Sequence, residues 1–183
     1  MPSKRPTKRP VKPLKKKITL TPATRTRASE PRSTLAPELT RKLAQAAEAA
    51  AQETALHSGR NAPLVLGVTV LTSMENGDLA AVGVNPNVGH QVERLAALAA
   101  QAGLRGLVCS PLEIVALRQT LPATMQLVTP GIRAADDAAG DQKRTLSARE
   151  ALDAGANWLV IGRPICAAPN PRAAAEKILE SLR

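Results

Sequence analysis

The sequence predicts a parallel α/β domain behind a basic N-terminal segment, with four strands that make either half of a (β/α)8 barrel or a small open sheet. Three observations carry this reading. Short apolar runs rich in β-branched residues alternate with amphipathic stretches, which is the pattern of βαβ units. Helix-capping signals recur between them. The charge, finally, is divided unevenly: of the formal net charge of +10, residues 1–32 hold 11 basic side chains and one acid, while residues 33–183 hold 14 of each.

Residues 1–37 read as a disordered tail and 38–183 as the partial barrel domain. Seven of the 15 prolines fall before residue 38 and no glycine precedes Gly59. So little apolar surface cannot offset the entropy of ordering. A transit peptide would share the basic, acid-poor composition, but the amphipathic apolar face is missing, and two further readings of the tail stand side by side. One is a polycation whose residues 1–32 hold the phosphates of nucleic acid or of an anionic lipid; the other is a terminal segment with no evolved role. It lacks the aromatic residues that base stacking would use.

The domain begins with an Ala-rich helix from Glu38, whose apolar face is expected to be Leu39, Leu43, Ala46, Ala47 and Ala50. The run 62–71 then reads as a strand buried on both faces. Thr72 and Glu75 follow with the spacing of a capping box. The stretch 90–103 is a helix with Val92, Leu95, Ala96 and Ala99 on one face, closed by Gly103. The second strand is 104–109. Ser110, Pro111 and Glu113 supply an N-cap, a first-turn proline and a capping-box acid for the next helix.

The third strand is 125–132, and a polar loop leads to a helix capped by Ser147 and Glu150 and ended by Gly155. The fourth strand is 157–162. Asn170 and Pro171 open the last helix. No run approaches the 18 or so apolar residues of a membrane span. Cys109 and Cys166 sit in apolar runs, which predicts two buried thiols in a reducing cytoplasm and excludes a disulfide scaffold or a zinc module.

The loops after the strands carry the unusual residues. Thr72 follows the first, Arg133 the third, and Gly162 and Arg163 the fourth. Parallel α/β folds place ligands at these C-terminal strand ends. An arginine close behind a glycine, occurring twice, suits a phosphate, since the guanidinium fork matches its oxygens. His57 and His90 flank helix ends and read as loop or capping residues. Asp136, Asp137 and Asp141 have Ala and Gly between them, which gives a solvated loop and not a calcium site.

The segments VTVLTSM (68–74), ERLAALA (93–99), GLVCS (106–110), LVTPGIR (127–133), AGDQKR (139–144) and LVIGRPI (159–165) together resemble the bacterial orotidine 5′-phosphate decarboxylase family, over residues 39–183. The resemblance implies a cofactor-free TIM barrel, active as a cytoplasmic homodimer. Its reaction is a carboxy-lyase step, orotidine 5′-phosphate to UMP and CO₂. It implies that Thr72 contacts the pyrimidine, and that Arg133, Gln142, Gly162 and Arg163 hold the phosphate.

The resemblance is to the C-terminal half of that family. Its members carry an Asp and a Lys on early strands and then a D-x-K-x-x-D run. Here no Asp precedes Asp78, and in Asp141-Gln142-Lys143 the sixth position is Leu146. No catalytic residue is therefore assigned, Lys143 included. The expectation is a decarboxylase by resemblance that keeps its phosphate- and pyrimidine-binding half and turns over little or nothing; the alternatives are a noncatalytic nucleotide-phosphate binder and a nucleic-acid-binding protein acting through the basic tail.

Overall fold

The computed structural model describes residues 35–133 and 144–183. The basic tail, with the nucleic-acid reading attached to it, lies outside the described residues, and so do Asp136, Asp137, Asp141, Gln142 and Lys143.

Four parallel strands form one sheet in chain order: β1 (Leu66–Val68), β2 (Gly106–Val108), β3 (Gln126–Thr129) and β4 (Trp158–Leu159). Each connection is helical: α2 (Asn76–Ala81) and α3 (Val88–Gln101) after β1, a 3₁₀ turn (Pro111–Glu113) running into α4 (Ile114–Thr120) after β2, and α5 (Ala148–Asp153) after β3. Before the sheet comes α1 (Leu35–Ser58); after it come α6 (Arg163–Cys166) and α7 (Pro171–Ser181). This is the α/β half-barrel expected from the alternation. The strands are shorter than their apolar runs, because only two to four residues of each find ladder partners. Single bonds such as Thr69 N–H to Val108 O and Val160 N–H to Thr129 O carry the pairing slightly further.

The core lies between the sheet and the helices. Leu107, Cys109, Leu127 and Thr129 point into it and meet Val92, Ala96, Ile114, Leu117 and Ala151. The opposite face is different. Val68, Val108, Val128 and Trp158 form one row in register across all four strands, and Val68 and Trp158 are 57% and 59% exposed. The expectation that the first strand is buried on both faces is thus corrected. This face is the inside of the barrel wall, open at the edge residues Val68 and Trp158 and half-buried at the central Val108 and Val128.

The caps at Ser110, Ser147 and Asn170 form as expected: the side-chain oxygens accept from Leu112, Glu150 and Ala173 N–H, and Glu113 and Glu150 close their boxes. Two expectations fail. The box expected from Thr72 and Glu75 forms three residues later, with Glu75 as N-cap and Asp78 Oδ2 accepting its N–H at 2.8 Å; Thr72 is buried at the strand end instead. The face of α1 is also reversed. Leu39, Leu43, Ala46, Ala47 and Ala50 are exposed, while Ala44, Glu48 and Ala55 turn inward. The cause is a charged residue on the inner face: Glu48 accepts from Arg105 Nε at 2.7 Å and from Gln52 Nε2 at 2.9 Å, so hydropathy spacing cannot find that side.

Candidate functional site

Since β1, β3 and β4 are parallel members of one sheet, the loops bearing Thr72, Arg133 and Gly162–Arg163 leave it from the same end. β3 and β4 are neighbours, so the two arginine loops start side by side. Thr72 is buried, and its Cγ2 lies 3.4 Å from where a Cβ on Gly131 would stand. Thr72 therefore packs against the loop that leads to Arg133.

Gly131 has a local reason to be glycine. Its φ is +84°, and a Cβ there would come 2.9 Å from the carbonyl oxygen of Arg144. Both the left-handed backbone and the close approach exclude a side chain. Arg133 is half-buried, its N–H bonded to Leu146 O at 3.0 Å and its Nη1 to Ile132 O at 2.6 Å. Ile132 and Leu146 form an isolated parallel bridge, so the chain returning at 144–146 lines the edge of this loop.

Gly162 and Arg163 are exposed. Gly162 is the N-cap of α6, a single turn that the sequence reading did not anticipate, and a Cβ on it would meet nothing within 4 Å. The structure thus places Thr72 and the Arg133 loop in contact, and Gly162 and Arg163 beside them at the same sheet end. Gln142 lies outside the described residues.

Two residues at this end escaped the sequence reading. Arg144 pairs with Glu113 through Nη1, and its Nη2 donates to Leu71 O at 2.7 Å and Val70 O at 3.2 Å. Both partners are nearly buried, at 12% and 11% side-chain exposure. The spacing of the sequence marks Glu113 only as a capping acid. It does cap, its Oε2 accepting from Ser110 N–H at 2.9 Å, but its other oxygen serves Arg144. Burial holds its carboxyl above the usual carboxylate range, although Arg144 and the Ser110 N–H both pull it down. The signal in the sequence is the arginine that ends AGDQKR, two residues after the glutamine expected to hold phosphate.

Cys109 is buried beneath these loops, and its thiol is pushed up to about 12, first by burial and then by the nearby Glu113. Cys166 is exposed, which corrects the expectation of two buried thiols. His57 Nδ1 sits 2.8 Å from Glu53 O, and His90 N–H is bonded by the Asn87 side chain at 3.0 Å, both at helix ends. Among the described residues no helix is long and apolar enough to cross a membrane.

Comparison with known proteins gives a consistent result. Residues 35–178 match the family model described as "Orotidine 5′-phosphate decarboxylase / HUMPS family". The orotidine 5′-phosphate decarboxylase of Opitutus terrae is 59% identical over 120 residues, 66% of this chain and 52% of that protein. That of Pseudomonas putida F1 is 53% identical over 132 residues, 72% of this chain and 56% of that protein. Among solved structures, the orotidine 5′-phosphate decarboxylase of Lactobacillus acidophilus superposes with a TM-score of 0.56 at 33% identity, covering 68% of this chain and 51% of its own. An uncharacterized conserved protein of Geobacillus kaustophilus gives 0.62 at 26% identity, covering 78% and 59%. The chain spans about half the length of the relatives it matches.

Proposed function

The chain belongs to the orotidine 5′-phosphate decarboxylase / HUMPS family, and on that premise we propose that its sheet end binds the phosphate and pyrimidine of orotidine 5′-phosphate or UMP without appreciable turnover. One observation carries the proposal: Thr72, Arg133 and Gly162–Arg163 leave one parallel sheet at the same end, with Thr72 packed on the Arg133 loop. Arg133 and Arg163 supply guanidinium forks for phosphate oxygens. The open space over Gly162 lets a phosphate approach the backbone. Thr72 offers a hydroxyl to the pyrimidine, and Gln142 joins the phosphate set by its place in the motif. The cytoplasmic homodimer belongs to the same proposal.

Decarboxylation needs more than this grip. A carboxylate must be made to leave as CO₂, and a proton donor must meet the carbon it leaves behind. Electrostatic groups around that carbon supply most of such catalysis, whereas a remote phosphate contributes binding energy that only pre-placed groups can convert to rate. The 183 residues contain no D-x-K-x-x-D run.

Calorimetry with UMP tests the binding. Wild type should give a saturable heat, and Arg133→Ala and Arg163→Ala should each weaken it tenfold or more. Absence of heat from wild type overturns the site. Loss of orotidine 5′-phosphate absorbance tests the chemistry; turnover in the ordinary enzymatic range of about 1–10³ s⁻¹ refutes the absence of catalysis.

A further inference from the structure

Three loops at the sheet end meet at one residue, two on its side chain and one on its main chain. Arg144 Nη2 donates to the carbonyls of Val70 and Leu71, the two residues directly before Thr72. Its Nη1 pairs with Glu113, at the start of the helical connection after β2. Its own carbonyl oxygen stands against Gly131, two residues before Arg133. Two residues further on, Leu146 O accepts the Arg133 N–H.

We propose that Arg144 is the positioning residue of this site: its side chain holds the Thr72 loop while its main chain holds the Arg133 loop, so that one residue sets the distance between the pyrimidine and phosphate contacts. The inference rests on the nucleotide reading of the site and adds a residue to it that touches no ligand itself.

The residue type follows from the geometry. The three acceptors, Glu113 Oε1 and the Val70 and Leu71 carbonyls, are met by two different guanidinium nitrogens. A planar fork serves such divergent acceptors; a lysine ammonium brings one nitrogen and cannot span them. The pair is nearly buried, so solvent cannot take the place of a lost partner. Gly131 completes the arrangement, because any Cβ there would push the Arg144 carbonyl away.

The test compares Arg144→Met, Arg144→Lys and Glu113→Gln with Arg118→Met, a substitution at the opposite end of the sheet. Amide hydrogen exchange on the full chain reads the loops without ligand. In the Arg144 and Glu113 variants, amides at 72–74 and 131–133 should exchange at least tenfold faster together, while those of α3 at 92–99 keep their rates. UMP affinity should fall tenfold or more in Arg144→Met and by less in Arg144→Lys, and should be unchanged in Arg118→Met below its melting range. Should Arg144→Met fail to fold, the near-isosteric Glu113→Gln carries the comparison.

Loosening of only one loop, or of neither, overturns the proposal. So does an equal loss of UMP affinity in Arg118→Met, since positioning would then be indistinguishable from general destabilisation. If both loops loosen together but wild type binds no UMP, the coupling by Arg144 stands and the nucleotide reading falls.

Discussion

Arg118 closes on the carbonyl of Gly155 with two nitrogens, Nε at 2.9 Å and Nη2 at 2.7 Å. Its Nη1 takes Met125 O at 2.8 Å, so α4 is tied to the chain entering β3 and the chain entering β4. Asn157 adds to the knot, its Oδ1 accepting from Leu127 N–H at 2.7 Å. This is the N-terminal end of the sheet, where parallel barrels place groups that serve stability and not chemistry.

Arg118→Met should therefore cost stability alone. Charge-assisted hydrogen bonds of this kind are worth about 1.5–3 kcal/mol, and the carbonyls of Met125 and Gly155 would lose their donor. Urea unfolding should show a lowered midpoint with an unchanged slope. An unchanged midpoint would mean that Arg118 is replaceable by solvent.

The two thiols should behave oppositely. Cys109 is buried, and its pKa near 12 leaves essentially no thiolate at neutral pH, while Cys166 is exposed. A thiol reagent at pH 8 should titrate one group on the native chain and two in denaturant. The native reaction should vanish in Cys166→Ser. Rapid reaction of both thiols on native protein would contradict the burial of Cys109.

Glu113 gives a pH dependence with a defined sign. Burial raises its carboxyl above the ordinary 4.5 in the folded chain, so the native state binds that proton more tightly than the unfolded state does. Its contribution is fully present below pH 4.5 and is lost as pH rises through the raised value. The stability of wild type relative to Glu113→Gln should accordingly fall from pH 4.5 towards neutrality, as read by urea unfolding across that range. A difference that grows with pH would reverse the assignment and make the Arg144 pair net stabilising to the ionised form.

The bare inner face should make the chain associate. Val68 and Trp158 on the edge strands, and Val160 just past β4, are each half exposed or more, and an edge strand beside an apolar face invites further pairing. Light scattering should show a mass that rises with concentration. Trp158 is the only tryptophan, so its emission should shift to the blue as association proceeds, and Val68→Lys should suppress both effects. A monomer at all concentrations, with a cooperative melt, would contradict this.

Much of the fold was legible in the sequence because its signals are local. The Ser110–Glu113 and Ser147–Glu150 boxes join residues three apart, and their hydrogen bonds form from the helix turn itself. The face of α1 was not legible, because Glu48 is drawn inward by Arg105, 57 residues away. The buried thiol at Cys166 failed for a related reason: α6 is one turn long and has no buried residues, so an apolar run did not become an inside.

By itself, the sequence determined the order of the strands and of the longer helices, the parallel sense of the strands and the residues that follow each one, since alternation and capping are short-range properties of the chain. It determined the family as well, through motifs whose spacing survives without any contact between them. Only the tertiary structure decided which of these residues meet. The convergence of Val70, Leu71, Glu113 and Gly131 on Arg144 spans separations of up to 74 residues. It exists because parallel pairing brings every strand end to one side of the sheet, where a single buried guanidinium can bond carbonyls and a carboxylate that no spacing rule connects.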